Sequence, residues 1–184
     1  MSAPISISLE FTPNPSTLKY VVDRELLSRG AANFTSKEST AKSPLAQKLF
    51  EVPGVAAVMI GKNFVTVTKG EDGDWETLNN GINKTLQDHL SENLPIMDPS
   101  YIAPESATSN EVEAKIKQIL DAEIRPAVAM DGGDIDLDRY EDGVVYLFMQ
   151  GSCAGCPSST ATLKMGIERK LKEAIPEIKE VVSV

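Results

Sequence analysis

Two cysteines, one histidine and one tryptophan in 184 residues leave little material for several kinds of protein. A small secreted scaffold needs several disulfides, and Cys153 with Cys156 can make at most one, so the pair points to metal or redox chemistry in a reducing compartment. No stretch approaches the roughly 18 apolar residues of a membrane span, and M-S-A-P-I-S-I-S-L-E-F lacks a basic region followed by a long apolar segment. A cytoplasmic protein without membrane partners is expected. Basic side chains are also scarce, 18 against 27 acidic ones, and the net charge of −9 argues against a binder of nucleic-acid backbones. No strand followed by G-x-G-x-x-G, no phosphate-loop lysine signature and no H-E-x-x-H occurs.

What is present fits an α+β protein of two small domains. Residues 98–109 carry Pro99 and Pro104 among small polar residues without helical or strand period, and are read as a linker between domains at 1–97 and 110–184. Through Ser100 there are 9 basic and 12 acidic residues, leaving 9 and 15 for the remainder, so the second unit holds most of the negative charge. In the first unit Ile5, Ile7, Leu9 and Phe11 alternate as in a half-buried strand, Thr12 to Pro15 make a turn, and 18–22 return as the partner. A small-residue stretch leads to one short helix at 45–50, a hairpin follows at 55–60 and 64–69, and Trp75, Leu78, Ile82, Leu86 and Leu90 mark an amphipathic helix. His89 is expected at the edge of the core or on the surface.

The second unit reads helix, strand, strand, helix, strand. Asn110 caps the first helix, which should end or bend at Pro126; Asp131-Gly132-Gly133-Asp134 is a turn; Ile135 and Leu137 begin a strand. Glu141-Asp142-Gly143 turns into a second strand at 144–149, 157–174 form the next helix, and 178–184 the last strand. Gly166, inside that helix, is either a close-packing point or a tolerated weak one.

Gly151-Ser152-Cys153-Ala154-Gly155-Cys156-Pro157-Ser158-Ser159 joins strand to helix. Proline suits the first helical position, which places Cys156 at or next to the N-cap and both sulfurs near the positive helix end, where thiolate is favoured. Gly151 and Gly155 let the chain turn tightly. Tetrahedral zinc and cubane iron–sulfur centres ordinarily take four protein ligands, and this chain offers two thiols, so two chains contributing two each is the economical solution. The same strand, C-x-x-C, helix context also serves a dithiol oxidoreductase, and inert structural cysteines are a third reading. Proline after both cysteines, and the absence of a second strand-helix-strand half, lean toward the metal. Asp131, Asp134, Asp136, Asp138, Glu141 and Asp142 lack a calcium-loop spacing and are read as a solvated acidic face. Ser158 and Ser159 are read as capping the helix or hydrogen-bonding the cysteine loop and not as nucleophiles, because the sole histidine lies in the other unit.

D-G-G-D at 131–134, G-S-C-x-x-C-P-S-S at 151–159, L-K-x-G-I-E-R at 163–169 and F-T-P-N-P-S-T-L-K-Y at 11–20 resemble the Nfu-type, NifU-like iron–sulfur cluster scaffold and carrier family over nearly the whole chain. That resemblance implies a noncatalytic protein with Cys153 and Cys156 as ligands of a labile [4Fe–4S] cluster bridging a homodimer. Gly132, Gly133, Gly151 and Gly155 would support the loop. It implies upstream iron–sulfur assembly proteins and recipient apoproteins as partners, and an accessory role for the N-terminal domain. A [2Fe–2S] cluster and adventitious zinc are the other centres such a pair can hold, and a structural zinc-bridged dimer or a dithiol oxidoreductase is the alternative function. A bacterial cytoplasm fits this expectation best, with the mitochondrial matrix as the setting of a processed form.

Overall fold

In the computed structural model, which describes residues 5–102, 110–154 and 157–184, the chain divides into two compact units, Met1–Ala103 and Pro104–Val184. Each unit has a core of its own.

The first unit is a five-stranded antiparallel sheet in the order β1-β2-β5-β4-β3, formed by β1 (Ile7–Phe11), β2 (Thr17–Val22), β3 (Ala32–Phe34), β4 (Val55–Ile60) and β5 (Phe64–Lys69). Helices α1 (Pro44–Phe50) and α2 (Trp75–Ser91) complete it. Both start where the chemistry of a helix end predicts: Ser43 Oγ accepts from the Ala46 N–H at 3.1 Å with Pro44 behind it, and Asp74 accepts from the Thr77 N–H at 3.0 Å. Tyr20, Leu45, Leu49, Ile60, Leu78, Ile82 and Leu86 fill the core. F-T-P-N-P-S-T is a self-satisfied turn. Thr12 Oγ1 lies 2.8 Å from the Thr17 carbonyl, Asn14 Oδ1 accepts from the Ser16 N–H at 3.0 Å, and Trp75 Nε1 donates to the Pro15 carbonyl at 3.1 Å.

Four expectations change here. Alternation in β1 does not mean half-burial: the strand is at the sheet edge, Leu9 is exposed and Phe11 is 85% exposed. The small-residue stretch before α1 is more than an approach, since it contains β3 and a 3₁₀ turn at Glu38–Lys42. His89 is fully buried, with Nε2 3.0 Å from the Pro95 carbonyl. Residues 98–101, inside the expected linker, pack with the first unit: the Asp98 N–H donates to the Lys42 carbonyl at 2.8 Å, and Tyr101 rests against the core. Residues 103–109 lie outside the described residues.

The second unit follows the expected order. Helix α3 (Glu111–Ile119), capped by Asn110 Oδ1 on the Glu113 N–H at 2.8 Å, passes through a π-helical turn at Leu120–Ile124 into α4 (Arg125–Met130). Pro126 bends the path without ending it: the wider turn accommodates a ring that has no N–H and clashes with an ordinary α-helical carbonyl. Strands β6 (Gly133–Glu141) and β7 (Val144–Gly151) form an antiparallel hairpin, α5 (Pro157–Ala174) crosses over, and β8 (Glu180–Ser183) pairs parallel to β7. Asp142 and Gly143 both have positive φ, 52° and 88°, as a two-residue turn of matching twist requires. Strand β6 begins at Gly133, so only Asp131 and Gly132 form the turn expected of all four D-G-G-D residues. Ile116, Leu120, Ile135, Leu147, Ile167 and Leu171 make the core.

Candidate metal centre

Pairing of β6 with β7 brings two distant sequence motifs together. Gly133 stands opposite Gly151, and Asp134 opposite Gln150. Gly132 and Gly151 have φ of +77° and +64°, a conformation that side chains disfavour, and they turn the two strand ends around each other. Ser152 stitches the turns: its N–H donates to the Gly132 carbonyl at 3.2 Å and its hydroxyl to the Asp131 carbonyl.

Cys153 lies on this platform, 5% exposed. A methyl group at Gly133 would stand 2.3 Å from Cys153 Sγ and 3.1 Å from the Gln150 carbonyl oxygen, so only glycine leaves room for the sulfur. The Cys153 carbonyl accepts from Thr160 Oγ1 at 3.3 Å, linking the loop to the first turns of α5, and Ala154 N–H donates to the Gly151 carbonyl at 3.1 Å. Helix α5 starts at Pro157, the position expected of it. Gly155 and Cys156 lie outside the described residues, as do the side chains of Ser158 and Ser159. Among the described residues no group of three histidine, cysteine or carboxylate side chains is arranged to hold a metal ion.

The acidic stretch is a largely solvated face, as expected, with Asp134 the exception. Asp134 is 8% exposed and its Oδ1 lies 3.3 Å from Arg125 Nε. Burial pushes its carboxyl above the ordinary aspartate range, and the Arg125 guanidinium pulls it back. Arg125 also contacts Asp136 and Asp121, while Arg139 pairs with Asp138 and faces Glu141 at 3.7 Å. Sequence reasoning passed over Arg125 and Ser152. Arg125 has a visible signal, being the only basic residue between Lys117 and Arg139 among six acidic ones.

Comparison with known proteins matches both units. The NifU-like domain family covers residues 116–182, and the family described as scaffold protein Nfu/NifU N terminal covers residues 7–93. The human protein named NFU1 iron-sulfur cluster scaffold homolog, mitochondrial, is 40% identical over 181 residues, 97% of this chain and 71% of its own length. NifU-like protein 4, mitochondrial, of Arabidopsis thaliana is 40% identical over 182 residues, covering 95% of this chain and 64% of that protein. The chain spans about two thirds of the length of these relatives. A solution structure of a NifU-like protein from Saccharomyces cerevisiae aligns at 24% identity and a TM-score of 0.47, covering 52% of this chain and 87% of that one.

Proposed function

We take as premise that the chain belongs to the Nfu-type, NifU-like family of iron–sulfur cluster scaffold proteins, and propose that it carries a labile [4Fe–4S] cluster between two protomers and passes it to recipient apoproteins. Cys153 and Cys156 of each copy are the ligands in this reading. The observation that carries it is the glycine platform under Cys153, which brings D-G-G-D and G-S-C into one site at the mouth of α5. Names of the relatives support the scaffold role, and the count of two thiols against four required ligands favours a shared site.

The cluster is cargo. Loading requires both thiols to give up protons, and a helix N-terminus favours the thiolate form. Release is ligand exchange: thiolates of a client replace those of the carrier one at a time, and no substrate bond is broken by an acid or base. The protein is therefore noncatalytic in this proposal. Residues 110–184 are the cluster-binding domain in this reading, and the first unit, Met1–Ala103, is an accessory domain for assembly or client choice. Upstream assembly proteins supply the cargo. A bacterial cytoplasm or a mitochondrial matrix meets the requirement for a reducing compartment, and the relatives named mitochondrial support the second.

Oxygen-free reconstitution with iron and sulfide tests this. Close to four irons and four acid-labile sulfides per two chains, with doubling of the native mass, is expected, and loss of both on Cys153→Ser or Cys156→Ser. Tight zinc without sulfide would support the structural dimer instead, and iron-free turnover of disulfides the oxidoreductase.

A further inference from the structure

We propose that Arg125 is the positioning residue of the Cys153 platform, holding the start of β6 so that Gly133 stays beneath the sulfur. The proposal rests on the reading of Cys153 as a cluster ligand and names a residue that prepares that same site.

Arg125 opens α4, directly after the π turn and before Pro126. From there its guanidinium reaches β6, the outer strand of its sheet, and grips three consecutive residues: Nε lies 3.3 Å from Asp134 Oδ1 and donates to the Ile135 carbonyl at 3.0 Å, and Nη2 lies 3.2 Å from Asp136 Oδ1. Nη1 is 3.0 Å from Asp121 one helical turn back. These three residues follow Gly133 immediately, and Asp134 faces Gln150, whose carbonyl forms the other wall against Gly133. A displacement of Asp134 is thus passed to both sides of the Cys153 seat.

An exposed ion pair would contribute little to such an arrangement. Here the acceptors include a buried carboxylate and a backbone carbonyl, and removing the cation strands a negative charge in a place water hardly reaches. Asp134 would then have to swing toward solvent and take the strand start with it. Lysine cannot replace the fork, because one ammonium cannot face Asp121, Asp134, Asp136 and the Ile135 carbonyl in fixed geometry.

The test is iodoacetamide labelling of Cys153 in the full-length, metal-free chain, resolved from Cys156 by fragment mass spectrometry. Parent, Arg125→Gln, Arg125→Lys and Arg125→Gln with Asp134→Asn are compared, with thermal melting followed on the same samples. Arg125→Gln should label on the order of tenfold faster, the lower end of what losing an outer partner of a ligand costs. Adding Asp134→Asn should return the rate most of the way to that of the parent, because no stranded charge remains, and a general loss of stability would not be rescued this way. Should Arg125→Gln fail to fold, Arg125→Lys, which keeps the charge and loses the fork, is expected to label faster than the parent, and equal labelling overturns the proposal. Labelling equal to the parent in a folded variant, or no recovery on neutralising Asp134, overturns the proposal. Reconstitution keeps the two readings separable: a parent that never takes up iron and sulfide overturns the cargo, whereas a parent that loads normally beside unchanged labelling overturns only the role of Arg125.

Discussion

At Gly133 the limiting quantity is space, because its φ is not among the positive ones and the backbone there would accept any residue. Alanine would place a methyl 2.3 Å from Cys153 Sγ, 3.2 Å from Cys153 Cβ and 3.1 Å from the Gln150 carbonyl, and while a sulfur can rotate away, the other two atoms cannot. Gly133→Ala should therefore cost about 1–3 kcal/mol, as overpacking of a filled interior does, and drive the Cys153 thiol out of its seat. Denaturant midpoints should fall, Cys153 should label faster in the metal-free chain, and cluster yield should drop with it. A Gly133→Ala protein with parental stability and parental loading would show that the sulfur does not need this seat. Gly132 and Gly151 fail differently: their φ of +77° and +64° makes any side chain strained whatever the room.

On the scale of elements, helix α5 carries a weak point unrelated to the site. Gly166 has nothing within 4 Å of the place a methyl would occupy, and it lies on the exposed side of the helix. Gly166→Ala should stabilise by about 0.5–1 kcal/mol by restricting the unfolded chain, with iron and sulfide uptake unchanged. A destabilised variant would mean that a neighbour approaches α5 there. This outcome resolves the choice that periodicity left between close packing and a tolerated glycine. Other elements were legible for reasons that local chemistry supplies: Ser43, Asp74 and Asn110 cap helices, Asp142-Gly143 turns a hairpin, and the apolar spacing of α2 matches its buried face. What local pattern cannot reveal is which strand ends up at an edge. Leu9 and Phe11 alternate like core residues, yet β1 has a neighbour on one side only and both side chains stay exposed. The candidate site was legible for a related reason and incompletely. C-x-x-C and D-G-G-D carry their glycines and thiols openly, but Arg125 is recruited through strand register and a helix bend, which no spacing rule encodes.

Across the whole molecule the two cores are built from different residues, and the two stabilities should answer to different variables. The single histidine belongs to the first. Burial holds the His89 imidazole below its ordinary pKa; the Pro95 carbonyl at Nε2 opposes this, Lys48 and Glu92 act with opposite sign, and Nδ1 has no partner. The neutral ring is the form that fits. Its contribution is fully present above about pH 6.5, the ordinary histidine value, and is lost as pH falls from there toward the lower folded value, since the unfolded chain takes up the proton first. Residues 104–184 contain no histidine, so this source of pH dependence is confined to the first unit. Their unit should respond to cargo, because ligand bound only by the folded form adds RT ln(1 + [L]/Kd), about 2.7 kcal/mol at a hundredfold excess over Kd. Calorimetry should then resolve two transitions in the metal-free chain. One moves down as pH falls below about 6.5, and loses that dependence in His89→Gln, which keeps a donor for the Pro95 carbonyl. The other is unaffected by His89→Gln and rises when iron and sulfide are loaded. A single transition that shifts as a whole with acid and with cargo alike would mean that the units unfold together, and that the first unit contributes directly to the stability of the second.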